Sequence, residues 1–228
     1  MPVVQKDKPA ALKPYLAHGV DLSYRDGDSE AVADCPWCGK DRKWYVSAEN
    51  GLWQCKVCLE QGNAITFFRK LWDSGQADAL DFIDLANARG LLSEEGVNSW
   101  GAVNSVLTGE LLIPGYSPDG KLTQLYRYAR DWKTGKNALL VTPETNHGLH
   151  GVPLYDPKKP EVYLCEGFWD GVALWETLVG VKEDNGKLLS TSNPKVSLLS
   201  QVNVLAVPGA GVFAPHWSKL LEGKIVTL

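Results

Sequence analysis

The sequence predicts a multidomain chain, α+β at first and α/β towards its end, and three patterns predict it. Two Cys-x-x-C pairs, Cys35/Cys38 and Cys55/Cys58, enclose an alternating stretch with an Asn-Gly turn. Two further strand-like runs, 110–116 and 121–130, are joined by Ser117-Pro118-Asp119-Gly120. From residue 161, short apolar runs alternate with helical patterns, which implies a parallel sheet.

Each Cys-x-x-C pair can reach one ion from a tight turn, and four thiolates satisfy the tetrahedral preference of Zn²⁺. In the spacer, Lys43, Tyr45 and Ser47 alternate with Trp44, Val46 and Ala48. The chain turns at Glu49-Asn50-Gly51 and returns through Leu52-Trp53-Gln54, which sets the second pair beside the first. Two disulfides and a thioredoxin-like redox pair are the competing readings. The N-terminal run MPVVQKDKPAALKP has no secretory apolar core, and the cysteine count of five is odd. A structural zinc ribbon in a reducing cytoplasm is therefore the expectation. The fifth cysteine, Cys165, lies in an apolar run and reads as a small core residue.

A chain of 228 residues, 44% of them hydrophobic, can build one large core or two to three small ones. No apolar run reaches the length of a membrane span. The net charge of −4 argues against a surface coated in positive charge, so contact with nucleic acid has to come from local basic patches. Nine tryptophans serve mostly in cores, with some open to stacking on bases.

Residues 1–33 read as a leader, with a short helix over 10–19, that packs on the ribbon. Gly62 ends the ribbon, and Asn63 caps a helix with Ile65, Phe68, Leu71 and Trp72 on one face. A second helix over 76–88 turns Ala79, Leu80, Ile83, Leu85 and Ala86 inward and stops at Gly90. Together these make a ribbon domain over 34–92. A β-rich basic unit follows over 96–158. Its returning strand and the next loop gather Lys121, Arg127, Arg130, Lys133 and Lys136, interleaved with Tyr126, Tyr128 and Trp132. Such a face can grip a phosphate backbone and stack bases; an ordinary solvated strand face accounts for it equally well.

The last unit, 159–228, has strands over 161–166 (EVYLCE) and 202–207 and a helix over 170–179 carrying Val172, Ala173, Leu174 and Leu178. Another helix lies near 215–221 and a third strand begins at 224. Ligands of a parallel sheet collect at the C-terminal strand ends. Glu166 sits at such an end and Asp170 opens the next helix, so both can converge on an oxygen-ligated Mg²⁺ or Mn²⁺. The competing reading makes Asp170 a helix cap and Glu166 a solvated edge residue. Gly209-Ala210-Gly211 could cradle phosphate but lacks the full dinucleotide fingerprint. His147 and His150 read first as turn or packing residues.

In this order the parts resemble the DnaG-type DNA primases of bacteria and the primase half of phage primase–helicases. CPWC…WYVSAENGLWQCKVCLEQGNAITFF is similar to the primase zinc ribbon running into its helix, and LANARGLL fits the end of the next helix. LLIPGYSPDGKLTQLYRYARDWKTGKN…TPETNHGLHGV is similar to the basic RNA-polymerase subdomain, and VYLCEGFWDGVALWETL resembles the first motif of the TOPRIM fold. The resemblance implies a zinc ribbon held by Cys35, Cys38, Cys55 and Cys58, a β-rich basic subdomain, and a partial, Rossmann-like TOPRIM sheet. It implies that the ribbon helps to select the template start through an exposed hairpin bearing Lys40, Arg42, Lys43, Trp44 and Trp53. Arg127 and Lys136, with Lys121, Arg130 and Lys133, would meet template or nucleotide phosphates. Glu166 and Asp170 would be the catalytic acids, with Glu166 on Mg²⁺ or Mn²⁺.

The implied reaction is synthesis of a short RNA primer on single-stranded DNA from ribonucleoside triphosphates, with a replicative helicase, fused or separate, as partner. The family's second acidic cluster, Asp-x-Asp, follows a strand whose start KIVTL resembles, so the expectation is a piece of a longer protein that polymerises poorly alone. Three other functions compete: another TOPRIM enzyme of nuclease or topoisomerase type, a catalytically inactive single-stranded-DNA-binding module, and a ribbon interaction domain fused to an unrelated α/β fold.

Overall fold

The computed structural model describes residues 8–75, 94–130, 137–179 and 201–228. The helix expected over 76–88, the LANARGLL stretch, Trp132, Lys133 and Lys136 lie outside them. In chain order the elements are α1 (Lys13–Ala17), β1 (Glu30–Ala33), β2 (Trp44–Ser47), β3 (Trp53–Cys55), β4 (Gln61–Gly62) and α2 (Ala64–Asp73). Then come α3 (Glu94–Ser99), β5 (Val103–Asn104), β6 (Leu111–Tyr116), β7 (Leu122–Arg130) and β8 (Asn137–Leu140). Last are β9 (Glu161–Cys165), α4 (Phe168–Val179), β10 (Val202–Ala206) and β11 (Ile225–Thr227). The sheets run β1-β2-β3-β4, β5-β6-β7-β8 and β10-β9-β11. The fold is mixed α and β, with antiparallel pairing in the ribbon and between β7 and β8 and parallel pairing in the last sheet. Two compact units divide it: residues 1–75, 104–112 and 124–146, and residues 76–103, 113–123 and 147–228.

In the first unit the hairpin forms as its alternation predicts, with Trp44 opposite Cys55 and Val46 opposite Trp53. Gly51, at φ 69°, closes the turn. Trp44 and Trp53 sit on the inward phase of their strands at 0% and 2% exposure. The expected exposed hairpin is corrected for these two: they are core, with Trp44 edge-on to Tyr15 at 5.4 Å and Trp53 Nε1 donating to the Asn63 carbonyl at 2.9 Å. The leader gives more than a helix, because β1 pairs antiparallel with β2 and sets Ala33 beside Trp44. Asn63 Oδ1 accepts from the Thr66 N–H at 3.0 Å and starts α2. The buried arc of α2 is Phe67, Phe68 and Leu71, with Ile65 half-buried. Phe67, outside the expected face, is drawn in because Tyr15, Trp37 and Trp44 ring it.

His18 is buried in the same unit, with Nε2 2.9 Å from Thr142 Oγ1. That hydroxyl gives its one proton to the Leu125 carbonyl at 2.7 Å, so His18 donates through Nε2. Burial, helped by the charge of Arg127, pushes its pKa down to about 3. Tyr126 and Tyr128 on β7 are also buried, so neither ring is available to stack on a base, one of the two readings left open for this face. β8, which the sequence reading left unassigned, pairs Leu140 with Arg127 and Asn137 with Arg130.

In the second unit β9 is central and both neighbours run parallel to it. The step from β9 to β10 and the step from β10 to β11 cross the sheet in opposite senses, so a crevice opens between β9 and β11 at their C-terminal ends. α4 begins two residues earlier than expected because Phe168 is buried, edge-on to His150 at 5.4 Å and Trp100 at 5.8 Å. His150 is fully buried, its Nδ1 donates to the Pro114 carbonyl at 2.9 Å, and burial holds its pKa down to about 4. It is a packing residue; His147 is exposed.

Stability should follow the two buried histidines. Unfolded, each titrates near 6.5; folded, they do so at about 3 and about 4, so below pH 6.5 the folded chain binds fewer protons. Their contribution is complete above that pH and lost as pH falls, by up to about 1.4 kcal/mol per pH unit for each. Urea midpoints across the range check this, and a profile unaffected by His150→Gln would contradict it. Separately, Gly148→Ala places a methyl 2.4 Å from the Gly115 carbonyl carbon and 2.5 Å from the Tyr116 nitrogen. It should cost on the order of 2–4 kcal/mol in a urea titration.

Candidate metal centre and carboxylate cleft

Two similar turns build the thiol cluster. The N–H of Gly39 donates to the Cys35 carbonyl at 2.9 Å, and that of Leu59 to the Cys55 carbonyl at 3.1 Å. Gly39 (φ 66°) and Leu59 (φ 64°) both take the left-handed conformation that closes such a turn. The four Sγ atoms lie within 4.8 Å of one another, with Cys35–Cys58 and Cys38–Cys55 each at 3.8 Å. A tetrahedron with metal–sulfur bonds of about 2.3 Å has edges of about 3.8 Å, so the cluster fits Zn²⁺. The separations are far beyond a disulfide bond, which closes the disulfide reading. Burial pushes the Cys35 thiol up to about 12. Burial also opposes ionisation of Cys55, but the N–H groups of Cys58 and Val57 and the neighbouring thiols outweigh it and bring Cys55 down to about 6.

Around the cluster Lys40, Arg42 and Lys43 are exposed, and the Arg42 N–H donates to Asp34 Oδ1 at 2.8 Å. Lys56 is exposed too, 5.7 Å over the Tyr45 ring. It was missed because it lies between two ligand cysteines, outside the alternating spacer. On β7, Arg127 Nη1 pairs with Glu110 Oε2 at 2.9 Å, the side chains 21% and 28% exposed. Glu110 was read only as the start of a strand. Lys121 pairs with Asp119 at 2.6 Å in the open, and with Ser117 it brings the Asp119 carboxyl down to about 2. Arg130 ends β7 opposite Asn137.

The second site is a cleft of about 910 Å³ in the second unit, at the C-terminal ends of β9 and β11. Tyr163, Cys165, Glu166, Asp170, Gly211 and Thr227 are among its lining residues. Glu166 directly follows β9, Gly167 makes the turn, and Asp170 falls in the first turn of α4. Both carboxylates are exposed on the rim, so the topology brings together the pair the sequence singled out. Cys165 lines this cleft half-buried instead of sitting in the core, because β9 ends there; burial and the Asp170 charge push its thiol up to about 11. Gly211, at φ 71°, is among the lining residues and brings the 209–211 loop to the cleft. Among the described residues, the cysteines are the one cluster of three or more candidate ligands.

No protein-family model matches the chain, and no curated protein matches it. Solved structures do. The Aquifex aeolicus primase, comprising zinc-binding and RNA polymerase domains, matches at 13% identity and a TM-score of 0.45, over 96% of this chain and 71% of that one. Primase domains bound to an RNA/DNA hybrid and dTTP, in a complex with the bacteriophage T7 lagging-strand DNA polymerase, match at 19% identity and a TM-score of 0.38, over 83% and 69%. The primase fragment of the bacteriophage T7 primase-helicase matches at 16% identity and a TM-score of 0.34, over 82% and 68%. All three are primases, the family the sequence motifs resemble. At these identities and scores, function has to be read from the chain's own residues.

The thiol geometry leads to one Zn²⁺ per chain by metal analysis. Removing it with a strong chelator, or substituting Cys38→Ser, should unfold the ribbon and shift the emission of Trp44 and Trp53, both packed around the cluster. Unchanged emission after complete metal loss would refute a structural ion.

Proposed function

We propose that the chain is the template-binding and nucleotidyl-transfer part of a DNA primase that makes short RNA primers on single-stranded DNA. The observation that carries this reading is the pair Glu166 and Asp170 on the rim of a cleft at a topological switch point, where parallel sheets bind ligands. In this reading the chain comprises a ribbon domain over 34–92, a basic subdomain over 96–158 and a TOPRIM-like domain over 159–228. Cys35, Cys38, Cys55 and Cys58 hold a structural Zn²⁺ that fixes the ribbon.

Glu166, with Asp170, would hold Mg²⁺ or Mn²⁺, which when bound neutralises triphosphate charge and orients the reacting oxygens. In this reading Glu166 would also take a proton from the attacking hydroxyl. Lys40, Arg42 and Lys43, with Lys56, present positive charge for the template backbone, and Arg127 meets phosphate. Trp44 and Trp53 have no part in stacking on bases, since both are core. Lys121, Arg130, Lys133 and Lys136 complete the basic set, and a replicative helicase is the proposed partner.

Primer synthesis on single-stranded DNA with ribonucleotides and Mg²⁺ or Mn²⁺ tests the reading. Glu166→Gln should lower the rate at least about a hundredfold while zinc content and DNA binding stay intact. Full activity in Glu166→Gln, or DNA binding without any primers from this chain and from a version extended by the downstream reading frame, would leave a non-catalytic binding module as the function.

A further inference from the structure

We propose that Glu110 masks Arg127, so that the guanidinium stays neutralised until an incoming phosphate displaces the carboxylate. This deepens the primase reading and rests on its assignment of Arg127 to phosphate. The acid is built into place. Ser105 Oγ accepts from the N–H groups of Leu107 at 3.2 Å and Thr108 at 3.3 Å, and the Gly109 N–H donates to the Ser105 carbonyl at 2.8 Å. Gly109, at φ 71°, closes this turn. The Thr108 hydroxyl then accepts from the Glu110 N–H at 3.3 Å and lies 3.4 Å from Glu110 Oε2. Gly19 seats the turn from the leader side, where a Cβ would lie 2.5 Å from Thr108 Cγ2.

The same Oε2 receives Arg127 Nη1 at 2.9 Å, with both side chains more than two-thirds covered at 21% and 28% exposure. A carboxylate fixed there cancels the charge that would draw a phosphate, and partial burial makes the cancellation stronger than in the open Lys121–Asp119 pair. Arg127 has five donors and Glu110 takes one, so a phosphate can use the others only against the repulsion of the neighbouring acid. His18, close enough to sense the Arg127 charge, is neutral and adds no second cation. The sequence alone counts Arg127 as a free positive charge; the folded unit spends it on Glu110.

The test uses the zinc-loaded full chain, a labelled single-stranded oligothymidylate and fluorescence anisotropy over a salt series. Glu110→Gln keeps the side-chain shape and removes the charge. It should bind about tenfold tighter at low salt, with a log–log salt slope steeper by about 0.7, the value for one further phosphate contact on a single strand. The gain should vanish in the Glu110→Gln/Arg127→Gln double variant. Unchanged or weaker binding by Glu110→Gln, together with weaker binding by Arg127→Gln, overturns the mask and leaves Arg127 on phosphate. Identical binding by the parent and all three variants overturns both. Glu110→Ala repeats the measurement without a hydrogen-bonding side chain, and thermal melts establish that each variant is folded.

Discussion

Side chains on a strand alternate sides residue by residue, and the ribbon depends on which parity carries the cysteines. Trp44, Val46, Trp53 and Cys55 share the buried phase of β2 and β3, with Trp44 opposite Cys55. A slip of one residue would turn Cys55 outward and expose both tryptophans. The aromatic packing of Trp44 with Tyr15 and Phe67 therefore fixes the register that brings the second thiol pair to the first. Core and metal centre are one construction. The same register that buries the aromatic cluster gathers four thiols whose spacing fits one Zn²⁺.

The parallel sheet uses a different constraint. With β9 in the centre, the steps from β9 to β10 and from β10 to β11 run in opposite senses, and among the described residues no strand crosses the space beyond its C-terminal end. Glu166 is the first residue after β9 and Asp170 is four residues on, within the first turn of α4. Phe168 anchors that turn beneath them by packing on His150 and Trp100. Glu166 and Asp170 are thus exposed beside a buried, apolar anchor. That arrangement suits chemistry on a charged substrate, because the groups that must stay solvated and those that must stay dry alternate along one short stretch.

Charge is handled unevenly across the basic residues. Lys40, Arg42 and Lys43 remain open around the ribbon, whereas Arg127 and Lys121 are each matched by an acid. The Arg127–Glu110 pair is half withdrawn from water, where a carboxylate and a guanidinium answer each other more strongly than at the surface.

The local signals were legible in the sequence: the two Cys-x-x-C turns, the Asn50-Gly51 hairpin, Asn63 as a cap, the 117–120 turn, and the strand that leads into Glu166. Each depends on neighbours a few residues apart, so composition and period suffice. Tertiary structure alone decided that Trp44, Trp53, Tyr126 and Tyr128 are core, that the leader adds β1, and that Cys165 faces a cleft. It also decided that Arg127 meets Glu110 across 17 residues of chain. Alternation says which residues share a face but not which face is covered, and charge counting does not say which acid lies beside which base. Those answers come from elements far apart in sequence, and only packing brings them together.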